Sequence, residues 1–147
     1  MATIEVTPLF SLEMQIDGAP EVVGAIPQGA RSIGNVSGHF EGPGIKGTIH
    51  ACDWYLSRSD GFGDADVRGT MLTDDGALIY MHYTGLVDMR EATLPGAGPG
   101  KGTSRVRTAV RFETGAERYR SLNQVQAIGI GEVSFETGHI KYQIYGL

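Results

Sequence analysis

The chain lacks the features that mark secreted and membrane-bound proteins. Its 147 residues include one cysteine, Cys52, so no disulfide can form within the chain. No apolar run approaches the roughly 20 residues that a membrane-spanning helix needs. The N-terminal segment has no basic stretch before its apolar residues, and Glu5 interrupts them, so we expect no signal peptide. These absences predict a cytoplasmic protein without a membrane partner.

Basic residues are also scarce, which bears on the kind of partner. Lys and Arg number 12 against 17 Asp and Glu, giving a formal net charge of −5 and a pI of about 5.3. The basic residues are spread along the chain rather than grouped in a patch. Because phosphate contacts need such a patch, we expect no nucleic-acid partner.

Motifs for metals and organic cofactors are missing as well. The four histidines are dispersed, and the chain has no HxH, HExxH or CxxC pattern, so no metal site is expected. Gly129-Ile130-Gly131 lacks the third glycine and the following helix of a dinucleotide-binding fingerprint. No P-loop, serine elbow or kinase motif occurs. The sequence therefore predicts neither a metal nor an organic cofactor.

Glycine, by contrast, is abundant. The 22 glycines are about twice the usual share, and they are scattered between short apolar runs without a repeat period. Glycines in that arrangement are typical of the turns, bulges and bends of all-β proteins. The length fits a single domain, which we place over residues 1–147.

Hydrophobic and polar residues alternate in several short segments. Residues 9–16 and 45–52 carry an apolar side chain at every second position, which is the pattern of a half-buried strand. Asp-Gly pairs at 60–61 and 75–76 predict hairpin turns between such strands. Residues 17–35 are rich in glycine and proline, and we interpret them as a connection with at most one short strand. We interpret residues 95–102 (PGAGPGKG) as a mobile loop.

The succession of these segments indicates the fold class. About eight to ten short strands follow one another, and the predicted helix covers residues 116–123. No strand–helix–strand alternation is present, which argues against a parallel sheet. The sequence predicts an all-β protein, either an antiparallel barrel or a sandwich.

At a series of short motifs the chain resembles a family of unknown function, DUF3237, also called UPF0311. No single motif is specific, but together they follow in order from about residue 8 to residue 145. The motifs are Gly42-Pro43, Lys46-Gly47-Thr48, Asp53-Trp54, Asp60-Gly61, Asp66-x-Arg68, Thr73-Asp74-Asp75-Gly76-Ala77-x-Ile79-Tyr80, Phe112-Glu113-Thr114-Gly115, Tyr119-x-x-Leu122-Asn123 and Gly129-x-Gly131.

The resemblance implies a single antiparallel β-barrel of calycin or lipocalin-like shape, and it implies a homo-oligomer because members often self-associate. Members resemble small-molecule proteins, and some are linked to cofactor-independent chemistry on phenolic or polyketide-like compounds. This chain departs from the family pattern at His39, where a second glycine commonly follows Gly38, and at His50-Ala51-Cys52, where the family is rich in glycine. Both departures add titratable or nucleophilic groups.

Four residues are candidates for catalysis. His39 is favoured because an imidazole titrates near neutral pH. Asp53 precedes Trp54, and a carboxylate beside a large apolar ring can have a raised pKa and serve as a general acid or base. Arg68 and Tyr80 occur in the family motifs and would hold a developing oxyanion. Each residue also has an ordinary interpretation, such as a surface histidine or a turn-capping aspartate.

Asp66 and Arg68 form a second feature, because residues two apart on a strand share one face. They could bind a polar group of a substrate or hold each other inside a barrel lumen. A solvent-facing ion pair, worth well under ~1 kcal/mol, is the alternative.

Aromatic and polar residues complete the predicted binding site. Aromatic walls hold flat apolar ligands, although such residues also build ordinary cores. Glu113 and Asn123 lie beside the predicted helix, where either could bind a carbonyl or hydroxyl, and Asn123 could instead cap the helix. The predicted substrate-binding residues are Trp54, Asp66, Tyr83, Phe112, Glu113, Tyr119, Asn123 and Tyr142.

The residues and the resemblance together favour a small-molecule enzyme that needs no cofactor. It would carry out isomerisation, cyclisation or lyase-type elimination on an aromatic or polyketide-like ligand inside the barrel, with His39 or Asp53 moving the proton. A non-catalytic carrier or sensor with the same barrel is the alternative, and a structural subunit is a third hypothesis. The loop at 95–102 is hypothesised to act as a lid.

Overall fold

The computed structural model describes residues 1–91 and 102–147, and these residues form eight β-strands. In chain order the strands are β1 (Thr7–Ile26), β2 (Gly29–Gly42), β3 (Ile45–Ser57), β4 (Phe62–Thr73), β5 (Leu78–Asp88), β6 (Thr103–Glu113), β7 (Ala127–Ser134) and β8 (His139–Gly146). Short 3₁₀ helices cover Met89–Glu91 and Glu117–Gln124.

The strands close into one antiparallel barrel. Each strand pairs with the next along the chain, and β8 pairs back onto β1, with Phe10 opposite Ile144. Closure pairs β1 on both sides from Ser11 to Gln15, which removes the exposed edge that is the usual liability of antiparallel sheets there. The prediction of an all-β antiparallel barrel of eight to ten strands with one short helix is confirmed, although the helix at 117–124 is of the 3₁₀ type.

Residues 17–35 differ from the sequence-based interpretation, since they belong to two long strands. β1 continues to Ile26 and β2 starts at Gly29, so the two strands form a hairpin. The register shifts between Asp17 and Glu21 and again near Gly24. The glycines and prolines therefore mark bulges within a long strand, not a break between strands. Residues 95–101, most of the predicted mobile loop, lie outside the described residues.

The half of the barrel nearer the longer 3₁₀ helix is filled by a core of aromatic and aliphatic side chains. Phe10 packs against Phe40 and Phe112, with ring centroids 5.7 and 5.8 Å apart. Tyr119 and Leu122 of the helix are buried against this core. The helix thus plugs one end of the barrel.

Asp75, in the turn between β4 and β5, ties the helix to the barrel. Its carboxylate accepts hydrogen bonds from the Tyr119 hydroxyl (2.8 Å), the Arg118 guanidinium (2.9 Å) and the Thr73 hydroxyl (2.5 Å). The Thr73 bond contributes most, ahead of Tyr119, to holding the pKa of Asp75 below its usual value. Arg118 also donates to the Gly44 carbonyl, so the helix is joined to a second turn.

Several glycines on the inner face allow adjacent strands to bend sharply. Gly38 lies between the buried Val36 and Phe40, and a Cβ there would sit 1.9 Å from the backbone oxygen of Glu13 on β1. A Cβ at Gly47 would likewise sit 1.9 Å from the backbone oxygen of Leu72. Such close backbone approach is a reason for glycine inside a strand, and it explains part of the high glycine content.

Replacing Gly38 should therefore destabilise the barrel. We expect Gly38→Ala to lower the free energy of unfolding by about 1–3 kcal/mol, because the added methyl group overpacks the β1–β2 contact. Gly34→Ala is the matched control, since its Cβ would lie 3.7 Å from the nearest atom, in Pro20. Urea unfolding measures both. Equal losses in the two variants would contradict this account of the inner glycines.

Candidate functional site

The barrel is hollow in the half away from the longer 3₁₀ helix. The cavity there has a volume of about 610 Å³. Its mouth lies among the β1–β2 hairpin, the 3₁₀ turn that contains Met89, and the turn between β7 and β8. Ligand pockets for small organic molecules commonly span about 300–1,000 Å³, so this lumen has the size of a small-molecule site.

The lumen wall is mostly apolar, with a few polar groups placed inside it. Asp53 and Tyr55 come from β3, Tyr83 from β5 and Tyr142 from β8. The apolar wall includes Ile16, Val36, Ala65, Val67, Val87, Met89, Val106, Val133, Phe135 and Ile140. An apolar pocket with a small number of convergent polar groups is the usual form of a ligand site.

Asp53 places a carboxyl group in the lumen wall, and its surroundings change the pKa of that group. Asp53 Oδ1 accepts a hydrogen bond from the backbone N–H of Asp66, at 3.2 Å. Burial raises the pKa of the Asp53 carboxyl to about 6, and the Asp66 hydrogen bond and the charge of Arg31 only partly oppose that effect. A carboxyl group with such a pKa can both release and accept a proton near neutral pH.

Tyr83 and Tyr142 form a pair of phenols near Asp53. Their ring centroids are 5.5 Å apart and their planes meet at 67°, an edge-to-face contact. Burial raises the pKa of both hydroxyls, and the negative charge of Asp53 adds to the effect. Burial likewise raises the pKa of Tyr55 to about 12. All three phenols therefore stay protonated. The Tyr83 and Tyr142 hydroxyls are hydrogen-bonded to each other, and the Tyr55 hydroxyl is buried beside Gly63.

Positively charged side chains are absent from the cavity wall formed by residues 1–91 and 102–147. That wall includes Asp53 and, near the mouth, Glu136, but no lysine, arginine or histidine. An anionic ligand group placed beside Asp53 would be desolvated without a partner, at a cost of several kcal/mol. The electrostatics of the lumen thus disfavour carboxylate and phosphate ligands.

Three of the predicted catalytic residues lie outside the lumen. His39 projects from the outer face of β2, with its Nε2 atom 3.9 Å from Glu13 and an exposed side-chain fraction of 66%. Arg68 is on the outer face of β4, and Tyr80 lies between the buried Ile79 and Met81 of β5. Asp53 is the predicted catalytic residue that the structure places in the cavity wall.

Asp66 and Arg68 form an outer-surface pair rather than a lumen pair. Arg68 Nε lies 3.9 Å from Asp66 Oδ1, and His82 Nε2 is closer, at 2.9 Å. Their inward neighbours are the buried Ala65 and Val67, so alternation along β4 turns the charged side chains to solvent. The structure thus favours the solvent-facing alternative for this pair.

The remaining predicted binding residues lie in several different parts of the barrel. Tyr83 and Tyr142 line the lumen, whereas Trp54 is exposed on the outer face. Phe112 is part of the aromatic core, and Tyr119 binds Asp75.

Tyr80, Glu113 and Asn123 line a shallow outer groove together. The Asn123 amide is occupied in that groove by hydrogen bonds with backbone atoms of Thr114 and Arg120. The groove is therefore a surface feature, separate from the lumen.

Tyr55 and Phe135 are lumen residues that sequence reasoning missed. Their rings contact each other, with centroids 6.1 Å apart, near the mouth of the cavity. The alternation of β3 could have identified Tyr55, because Ile49, Ala51, Asp53 and Tyr55 occupy every second position of one strand. The alternating segment identified from the sequence ends at residue 52, so it does not reach Asp53 and Tyr55.

The described residues include no cluster of three or more histidine, cysteine or acidic side chains arranged to hold a metal ion. None of the helices formed by residues 1–91 and 102–147 is long and apolar enough to cross a membrane.

Comparison with known proteins identifies the family. A family model described as "Protein of unknown function (DUF3237)" matches residues 4–147, and the chain therefore belongs to this family. A UPF0311 protein of Rhodopseudomonas palustris is 28% identical over 134 residues, covering 86% of this chain and 87% of the relative.

Solved structures share the fold. A beta-barrel like protein from Acinetobacter baumannii superposes with a TM-score of 0.83 at 27% identity, covering 99% of this chain and 97% of that one. An enzyme from Penicillium herquei superposes with a TM-score of 0.69 at 23% identity, covering 96% and 93%. At that identity the second likeness shows the fold alone.

The raised pKa of Asp53 makes stability depend on pH. The pKa of Asp53 is about 6 in the folded chain against 3.8 as the ordinary value, so the folded state holds the proton more tightly. Its contribution to stability is therefore present at low pH and is lost as the pH rises from about 4 to above 6. We expect Asp53→Asn to stabilise the protein at pH 8 by on the order of 2–3 kcal/mol, with little effect at pH 4.

Urea unfolding of the parent and the variant at both pH values measures this difference. Asp74→Asn, at an exposed turn, is the control and should show no such pH-dependent gain. A destabilising effect of Asp53→Asn at pH 8 would contradict the assignment of a strained, buried carboxylate.

Proposed function

We propose that this DUF3237 protein binds an uncharged, largely apolar small molecule in the barrel lumen and catalyses acid–base chemistry on it at Asp53. The observation that carries the proposal is one buried carboxyl group, with a pKa of about 6, facing an apolar cavity beside two protonated phenols. Perturbed carboxyl groups in clefts are concentrated at functional sites.

The proposed reaction moves a proton within one substrate and needs no other reactant. Asp53 takes a proton from a C–H or O–H group, the substrate carries the negative charge on a carbonyl or phenol oxygen, and Asp53 returns the proton to another atom. Tyr142, which is hydrogen-bonded to Tyr83, donates a hydrogen bond to that oxygen while the charge is present. Isomerisation follows this sequence directly. In a cyclisation the deprotonated atom forms the new ring bond with a carbonyl carbon, and the carbonyl oxygen takes the proton. In a lyase-type elimination the bond to the leaving group breaks as the double bond forms, and the leaving group takes the proton.

The aromatic wall points to the class of substrate. Tyr55, Phe135, Tyr83 and Tyr142 surround the polar part of the lumen and suit a flat ring system. An aromatic or polyketide-like compound with a carbonyl or hydroxyl group would satisfy both the walls and Asp53. The barrel of Penicillium herquei, described as an enzyme, supports the idea that this fold can carry catalysis.

A non-catalytic carrier or sensor is the second candidate, favoured by the predominance of apolar side chains in the wall. In that case Asp53 would fix the orientation of a ligand without moving a proton. Self-association, the cytoplasmic location and the single domain over residues 1–147 stay predictions.

The enzyme proposal predicts a specific effect of changing the carboxyl group. The parent is incubated with a panel of phenolic and polyketide-like compounds, and native mass spectrometry with chromatography detects both bound and converted compounds. For a converted compound, we expect Asp53→Asn to keep binding but to lower the turnover rate about 10²–10⁴-fold, the usual contribution of a general acid or base. Tyr142→Phe should lower the rate about 10²-fold.

Two further variants make the test decisive. Asp74→Asn is the matched control at an exposed turn and should leave the rate unchanged. His39→Gln distinguishes between His39 and Asp53, the two residues that the sequence suggests for moving the proton. His39 lies on the outer face, away from the lumen. Loss of turnover in His39→Gln with full activity in Asp53→Asn would overturn the lumen site. Tight binding without any conversion would favour the carrier.

A further inference from the structure

The ladder between β3 and β4 opens beside Asp53. The register pairs Asp53 with Val67 and Leu56 with Asp64, but it skips Trp54 and Tyr55 between them. Regular continuation of this register would set Trp54 opposite Asp66. The Asp66 N–H instead donates to the Asp53 carboxylate, at 3.2 Å. A side chain has thus replaced a backbone carbonyl as the acceptor in the ladder.

The carbonyl group of Trp54 is satisfied from a different strand. Arg31 of β2 reaches along the outer face and donates from Nη1 to the Trp54 oxygen, at 2.7 Å. Arg31, Trp54 and Asp66 line the same outer groove, which lies over the opened part of the ladder. A backbone carbonyl and a backbone N–H that regular pairing would join therefore each have a side-chain partner.

We propose that Arg31 is a positioning residue for Asp53: by holding the Trp54 carbonyl, it leaves the Asp66 N–H free to orient the Asp53 carboxylate. The role in catalysis rests on the proposed function, but the orientation itself does not. Arg31 acts from outside the lumen and is not among the residues that line the cavity. Its charge also favours the ionised form of Asp53.

The titratable groups around Asp53 define what a titration will report. They come from five strands and are Arg31 of β2, Cys52 and Tyr55 of β3, Asp66 of β4, Tyr83 of β5 and Tyr142 of β8. The side chain of Asp66 is directed outward to His82, at 2.9 Å. The backbone N–H of Asp66 is therefore the reporter, and steps due to its own carboxylate or to His82 must be separated from the step due to Asp53.

Amide chemical shifts of ¹⁵N-labelled protein between pH 4 and pH 8 test the proposal. In the parent, the Asp66 amide should show a titration step with a midpoint at the pKa of Asp53, about 6. Asp53→Asn should remove that step and leave any step that belongs to Asp66 or His82. These two results assign the reporter before Arg31 is changed.

Arg31→Met keeps an apolar stem but removes the donor and the charge. The freed Trp54 carbonyl should then accept a hydrogen bond from the Asp66 N–H. The size of the titration step in the Asp66 amide chemical shift should therefore fall by at least half. The pKa of Asp53 should rise by about 1, a tenfold gain in proton affinity. Arg31→Lys retains a charged donor. This variant should restore most of the Asp66 titration step and bring the pKa of Asp53 most of the way back to that of the parent. The proposal would be overturned if Arg31→Met left the Asp66 titration step unchanged. It would also be overturned if Arg31→Met and Arg31→Lys changed that step and the pKa of Asp53 equally.

A measurement on the unmodified protein covers the case in which Arg31→Met does not fold. A through-hydrogen-bond coupling should connect the Asp66 amide nitrogen to the carboxyl carbon of Asp53. Coupling to the Trp54 carbonyl carbon instead would overturn the proposal. If the Asp66 step and the coupling are found while Asp53→Asn leaves turnover unchanged, the proposed function fails and the positioning by Arg31 stands.

Discussion

The structure depends on one constraint, the alternation of side chains along eight strands that close on themselves. In a closed barrel every strand has one face inside and one face outside, and no strand can shift its register without inverting both. Near the longer 3₁₀ helix the inward positions carry residues such as Phe10, Phe40 and Phe112, which fill the interior. In the other half the same positions leave a cavity. Alternation thus sets both the core and the site.

Asp53 stands out because it occupies an inward position. A carboxylate in an apolar wall is costly, and no cationic side chain from the described residues enters the lumen to offset it. The Asp66 N–H offers partial compensation, and Arg31 acts on it only from outside the barrel. A local arrangement that lowers stability while preserving a proton-transfer group is expected at a functional site rather than in a core built for stability alone.

Much of this arrangement could be predicted from the sequence, and the missed parts have identifiable causes. The alternation in residues 9–16 and 45–52 and the Asp-Gly turns were enough for an antiparallel barrel or sandwich, and the family resemblance favoured the barrel. The same alternation, extended through β3, would have placed Asp53 inside and Trp54 outside. The apolar neighbours of Asp66 and Tyr80 likewise place these two side chains outside the barrel. Both were predicted as site residues because they belong to the family motifs. Motif membership does not distinguish the two faces of a strand.

Other features depend on distances that a sequence does not contain. The opening of the β3–β4 ladder lies where Arg31, more than 20 residues away in sequence, donates a hydrogen bond to the Trp54 carbonyl. The bulges that keep residues 17–26 within β1 look like loop signals in the sequence, since glycine and proline serve both purposes. The proximity of Tyr83 and Tyr142 is likewise a consequence of barrel closure, not of local pattern.

The most direct test of the central claim is to locate a bound ligand by ¹³C methyl NMR. A phenolic or polyketide-like compound that native mass spectrometry shows to bind is added to methyl-labelled protein. The account predicts shift changes for the lumen methyl groups of Val67, Val133 and Ile140, and none for Leu72 and Ile130 on the outer face. Changes confined to the outer methyl groups would contradict a ligand site inside the barrel.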